Sequence, residues 1–257
     1  MKNQEPMKVQ HVLIVLLLAI TSSSCINIFE DIFLNKDGSG RYELRFDLGA
    51  MMNNPMLEGL MDEFGSDSTA QEEVNIFGTT AEDTIVSMLS IAQEAGQTVD
   101  RPEFWKDVMM RTKMDEESGE FYLKFTVPFA ELDDISYFYE NFQDYMPADG
   151  ENEMFGQGGV LPSALSFTLK RRELTRSTGF GGASEEMAEM DEQEKQMMSM
   201  FFTGATYETV YHLPGRVKNA DFPNAAVNGK DVTVRTPLLD ILQGEADMDG
   251  SVKFRRR

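Results

Sequence analysis

Cysteine occurs once in the 257 residues, at Cys25, and histidine twice, at His11 and His212. A single cysteine excludes an intramolecular disulfide, so the fold must be held by its core. With so few His and Cys side chains, a zinc site built from those residues is excluded as well. Positive charge is scarce: 23 Lys and Arg stand against 44 Asp and Glu, a formal net charge of −21. A surface of that sign repels nucleic acid and gains nothing from anionic head groups. Long apolar runs are also missing, and residues 12–20 (VLIVLLLAI) fall well short of the ~20 residues that span a bilayer.

What is present at the N-terminus is an export signal. Lys2 and Lys8 precede the apolar run, Thr21-Ser22-Ser23-Ser24 follow it, and Cys25 comes next. Residues 1–24 are therefore set apart from the fold, and residues 25–257 read as a single acidic domain. The arrangement resembles the signal of bacterial lipoproteins, in which small residues lead into a cysteine that carries acyl chains such as palmitate. Ser23, Ser24 and Cys25 fit that pattern, while Ser22 stands where an aliphatic residue is usual. The resemblance implies a palmitate-bearing lipid anchor at Cys25, with the lipid bilayer as partner and the exported side of the cell envelope as location. The plainer alternative is an unmodified thiol in a secreted chain, a liability in an oxidising compartment.

Past Cys25 the chain alternates with period two, the signature of half-buried strands. Tyr42, Leu44, Phe46 and Leu48 face one way, and Arg41, Glu43, Arg45 and Asp47 the other. Residues 26–34 form an apolar run closed by Asn35-Lys36-Asp37-Gly38-Ser39-Gly40, which predicts a hairpin that starts almost at the anchor. A second hairpin is predicted from residues 108–114 and 121–129 across Glu116 to Gly119. Leu165, Phe167 and Leu169 begin another strand. Residues 207–213, 225–228 and 232–236 follow, the last two joined at Asn228-Gly229, and Val252 and Phe254 suggest an edge strand.

Helical spacing appears between the strands. Thr80 is placed to cap a helix carrying Ile85, Met88, Leu89 and Ala92, and residues 130–144 put Leu132, Ile135, Phe138, Tyr139 and Phe142 on one face. A third helix is expected from Ser184 to about Phe202 and a short one over residues 53–64. Residues 147–162 and 175–185, rich in Gly and small or acidic residues, read as flexible loops. The fold class is α+β: a mostly antiparallel β-sheet built from hairpins, with several packed helices.

Catalytic chemistry is hard to assemble from these residues. His212 lies in a strand pattern with no nucleophile motif nearby and reads as a solvent-edge strand residue. Glu245-Ala-Asp247-Met-Asp249-Gly250 begins like a calcium loop but reaches Arg256 where a bidentate Glu is required. The loop around Asp37 fails at Phe33 and Leu44. Gly156 to Gly159 and Phe180 to Ala183 lack the setting of a phosphate-binding loop. No metal and no cofactor is expected.

Methionine is abundant, at 18 residues. Met187, Met190, Met197, Met198, Met200 and Phe201 on the third helix are the candidate binding surface, an adaptable apolar face for a lipid or an envelope protein; the competing reading is core filling. The tail Lys253-Phe254-Arg255-Arg256-Arg257 is basic against an acidic background.

The C-terminal third carries a further likeness. Tyr207-Glu-Thr-Val-Tyr-His-Leu-Pro-Gly-Arg-Val-Lys218, Asn224-Ala-Ala-Val-Asn-Gly-Lys-Asp-Val-Thr-Val234 and Pro237-Leu-Leu-Asp240 resemble a strand, loop and hairpin of uncharacterised bacterial lipoproteins. They are more distantly similar to the LppM-like lipoprotein domain, an α+β module linked to envelope lipids. The expectation is thus a membrane-anchored lipoprotein that acts as a non-catalytic binding or scaffolding protein. The alternative is an envelope-anchored hydrolase using paired carboxylates.

Overall fold

The computed structural model describes residues 26–52, 83–115, 117–145, 161–180, 187 and 190–255. Their elements are β1 (Asn27–Leu34), β2 (Gly40–Asp47), α1 (Gly49–Met52), β3 (Asp83–Ser87), α2 (Met88–Glu94), α3 (Pro102–Trp105), β4 (Met109–Asp115), β5 (Glu120–Phe129) and α4 (Asp133–Asn141). There follow β6 (Ala164–Lys170), β7 (Glu173–Gly179), α5 (Glu192–Phe202), β8 (Thr206–His212), β9 (Val217–Asp221), β10 (Ala226–Asn228), β11 (Asp231–Pro237), α6 (Leu238–Leu242) and β12 (Gly250–Phe254). The protein is α+β, with antiparallel pairing dominant.

Eight strands form one sheet in the order β10-β11-β8-β1-β2-β5-β4-β3, and four form a second in the order β6-β7-β12-β9. Every pair is antiparallel except β1 with β8, which run side by side from Ile28 opposite Tyr207 to Phe33 opposite His212. Period-two alternation dictates the faces of the large sheet. Ile28, Ile32, Tyr42, Leu44, Phe46, Leu123, Phe125, Val127, Tyr207 and Tyr211 all point inward and are buried. The outward face stays wet and is laced with charge: Arg41 lies over the Phe33 ring at 4.2 Å and Arg45 over Phe29 at 4.4 Å, while Lys124 pairs with Glu43 at 2.8 Å.

The inner face is covered in two parts. Over β2 and β5 lies α4, whose Phe138 packs against Phe125 at 5.7 Å and stacks on Phe142 at 5.0 Å; Trp105 and Tyr145 close this aromatic cluster at 4.8 Å. The predicted apolar side of that helix is its buried side. Over β1 and β8 lies the small sheet, with Phe222 stacked on Tyr211 at 4.9 Å.

Several expectations need correcting. Residues 83–87 are a strand, because the β-branched run Thr84-Ile85-Val86 pairs with β4, and Ile85 is 59% exposed on the outer face. The helix begins only at Met88, and its cap is Ser87, whose Oγ accepts from the Ser90 amide at 3.1 Å. Residues 175–179, expected within a flexible loop, belong to β7. Val252 and Phe254 lie on an interior strand, since β12 is paired on both sides by β7 and β9. The third helix begins at Glu192 among the described residues. Thr80, the helix expected at 53–64 and nearly all of loop 147–162 fall outside the described residues; Leu161 and Pro162 are buried.

Candidate functional site

Strand β1 organises the polar residues of the molecule, because its two faces carry Glu30 and Asp31 in succession. Glu30 occupies an inward position between Ile28 and Ile32 and is fully buried. Such a carboxylate must be paired and hydrogen-bonded to be tolerated. Arg176 of β7, also fully buried, supplies the ion pair through Nη1, Thr209 donates to Glu30 Oε2 at 2.6 Å, and the Tyr42 hydroxyl donates to Oε1 at 2.8 Å. Tyr139 joins at 2.6 Å from the Tyr42 hydroxyl. Arg176 Nε donates to Thr178 Oγ1 at 2.7 Å.

This cluster ties the small sheet to the large one. Burial pushes against the charge of Arg176, yet the Glu30 carboxylate outweighs it and holds the guanidinium protonated. Burial likewise pushes the Tyr42, Tyr139, Tyr207 and Tyr211 hydroxyls well above their usual range, so all four stay neutral. Arg176 Nη2 and the Tyr207 hydroxyl are buried without a hydrogen-bond partner among the described residues. The arrangement binds the two sheets together.

On the outer face, His212 is bracketed by carboxylates. Its Nε2 lies 2.8 Å from Asp31 Oδ1 and its Nδ1 3.1 Å from Asp231 Oδ1, and its ring stacks on Phe33 at 4.2 Å. His212 sits half-buried on the outer face of β8, a strand paired on both sides, by β1 and β11. With both ring nitrogens held by carboxylates, His212 clamps three strands.

The carboxylates of the calcium-like loops shape turns. Asp37 accepts from the Ser39 amide and hydroxyl at 3.2 and 2.7 Å, and Asp249 accepts from the Thr178 amide at 2.5 Å. Among the described residues, no group of three or more His, Cys, Asp or Glu is arranged to hold a metal ion. No described helix is long and apolar enough to cross a membrane.

The candidate methionine face is only partly described. Met187, expected on an exposed surface, is instead 8% exposed and part of the core. Met190, just before α5, and Met198, within it, are half-buried and pack against that core, where α5 lies beside α6. The side chains of Met197, Met200 and Phe201, like Cys25, lie outside the described residues. Immediately after Cys25, Ile26 is 0% exposed.

Two of the polar residues that matter most, Glu30 and Arg176, were missed by pattern reading. The signal was there: each sits at an i+2 position in an inward row, after Ile28 and after Leu174. An oppositely charged pair in two such rows marks strands that face each other.

No family model and no curated protein matches the chain. Among solved structures, the folded domain of the Mycobacterium tuberculosis LppM protein is similar over 91% of each chain, with 8% sequence identity and a TM-score of 0.39. The chain is distantly similar to the LppM-like lipoprotein domain. No residue's role is carried over from it.

Proposed function

We propose that this protein is an envelope lipoprotein, held on the exported side of a membrane by acyl chains on Cys25, and that it works there as a non-catalytic binding or scaffolding protein. One observation carries the reading: Ile26 is fully buried and β1 begins at Asn27, so the residue after the lone cysteine is already core. An anchor on Cys25 is then separated from β1, near the centre of the large sheet, by Ile26 alone. A lipid on Cys25 holds the Ile26 end of the sheet against the bilayer. The basic-then-apolar segment before Cys25 supports the same assignment.

A non-catalytic role fits the way the polar groups are used. Glu30 and Arg176 neutralise each other inside the core, and His212 bridges Asp31 and Asp231. The test is metabolic labelling with an alkynyl palmitate analogue. The full chain should take up the label, and Cys25→Ala should lose it while its soluble portion stays folded. Equal labelling of the variant would contradict the assignment.

A further inference from the structure

The end of β1 opposite Ile26 gathers basic residues. Five segments meet there: the β1–β2 turn, the β6–β7 turn, the link from β8 to β9, the β10–β11 turn and the end of β12. Backbone hydrogen bonds join four of them, from Val217 to Gly229 (3.0 Å), Phe254 to Arg172 (3.0 Å) and Arg255 to Arg216 (2.8 Å). Lys36, Arg171, Arg172, Arg216, Lys230 and Arg255 are all exposed there. None makes an ion pair among the described residues, in a chain where carboxylates outnumber cations 44 to 23. On strands away from this end, Arg45, Arg111, Lys113, Lys124, Arg176 and Arg235 each have a carboxylate partner.

A cleft of about 200 Å³ opens among these residues. Lys36, Arg172 and Arg255 provide its charge and Leu169, Pro214 and Phe254 its apolar floor, and among the described residues no carboxylate lines it. The chain accepts unfavourable backbone to build it. Lys170 pairs with Glu173, leaving Arg171 and Arg172 as a two-residue turn with φ of 51° and 69°. Turns with both central residues in the left-handed region favour Asn-Gly, and two arginines there are disfavoured. Gly215 allows the close approach that seats Arg255, because a Cβ there would stand 1.6 Å from the Arg255 carbonyl oxygen.

We infer that this cleft binds a phosphate monoester carried on a small apolar group. Three cations lining one cleft, with no carboxylate among its described lining residues, suit a dianion better than a monocarboxylate, and guanidinium forks match phosphate oxygens. The floor takes the apolar group, and the volume, below the ~300–1,000 Å³ of ordinary ligand sites, admits the head of a ligand and little more. The cleft lies the length of β1, roughly 26 Å, from the Ile26 end. It therefore points away from the bilayer if Cys25 is the anchor, which favours a soluble ester over a lipid of the same membrane. Only that choice of source leans on the lipoprotein reading; the charge chemistry does not.

The test is isothermal titration of the full chain with phenyl phosphate, inorganic phosphate, benzoate, and phosphatidylcholine vesicles containing phosphatidic acid. Phenyl phosphate should bind saturably, at least ~10-fold more tightly than inorganic phosphate or benzoate, and more weakly as salt rises. Arg172→Gln with Arg255→Gln should weaken it at least ~10-fold at unchanged Tm. Replacing the turn by Arg171→Asn with Arg172→Gly should weaken it too while raising the Tm by roughly 2–4 °C, because the backbone conflict is removed. Phenyl phosphate no tighter than phosphate, binding unaltered in both variants, no binding at all, or binding to the vesicles alone would overturn the inference.

Discussion

Replacing Arg176 by Met tests how the two sheets are joined. The substitution keeps most of the apolar stem of the side chain and deletes the guanidinium, leaving the Glu30 carboxylate with hydrogen bonds from Tyr42 and Thr209 but no countercharge. Both side chains are fully buried, so breaking the pair from one side should destabilise the protein by about 3–5 kcal/mol. That is a large share of the ~5–15 kcal/mol that holds a typical domain together. The double variant Glu30→Leu with Arg176→Met should recover much of the loss. Its residual deficit comes chiefly from the Thr209 hydroxyl, now without its acceptor, since Tyr42 keeps Tyr139; about 1–2 kcal/mol is expected. Urea denaturation of the wild type, both single variants and the double variant gives the coupling directly. A single-variant loss under ~1 kcal/mol, or a double variant whose loss equals the sum of the singles, would refute the account of a desolvated ion pair spanning the sheets.

Other outcomes follow from local geometry. Asp134 accepts from Arg101 at 2.8 Å and from the Ala130 and Glu131 amides; burial works to raise its pKa, but these donors outweigh it and hold it below the usual carboxylate value. Its contribution is therefore present above the unfolded value near ~3.9 and fades as pH falls through the lower folded value. Asp134→Asn should cost about 1 kcal/mol at pH 7 and converge with the wild type in acid, as read by thermal melts across pH; a deficit constant with pH would contradict this. Gly229, at φ 66° with nothing near a added Cβ, should lose roughly 1 kcal/mol as Gly229→Val, purely from backbone conformation. Gly215→Ala should lose about 2 kcal/mol or more, because the backbone itself must move; equal melting temperatures for the two variants would show that the close approach to Arg255 is not tight.

Much of the large sheet was legible because its inner row is apolar without interruption at Tyr42, Leu44, Phe46 and Leu48 and again along β5, and because Asn35 to Gly40 and Asn228-Gly229 announce their turns. The small sheet was harder to read. Its β6–β7 turn is Lys170-Arg171-Arg172-Glu173, which has no Gly or Asn to mark it, and its second strand shows an arginine where an apolar residue would signal the inner face. Arg176 makes sense there only through Glu30, 146 residues away in sequence. For the same reason β12 read as an edge: its two neighbours, β7 and β9, were not seen as strands. Helical spacing misled at Ile85, where the β-branched run and its pairing with β4 prevail over the i, i+3, i+4 pattern. The residues of the two proposals divide along the same line. Cys25 is legible from its flanks, whereas the cationic cleft is assembled from turns far apart in the chain and becomes visible only when Lys36, Arg172 and Arg255 are brought together.

The central claim is that Cys25 bears lipid and joins the bilayer to β1 without a tether. Intact-mass analysis of the chain extracted from the membrane fraction tests it most directly: the account predicts a polypeptide beginning at Cys25 with added acyl mass, and an unmodified cysteine, or an N-terminus before Ser24, would contradict it.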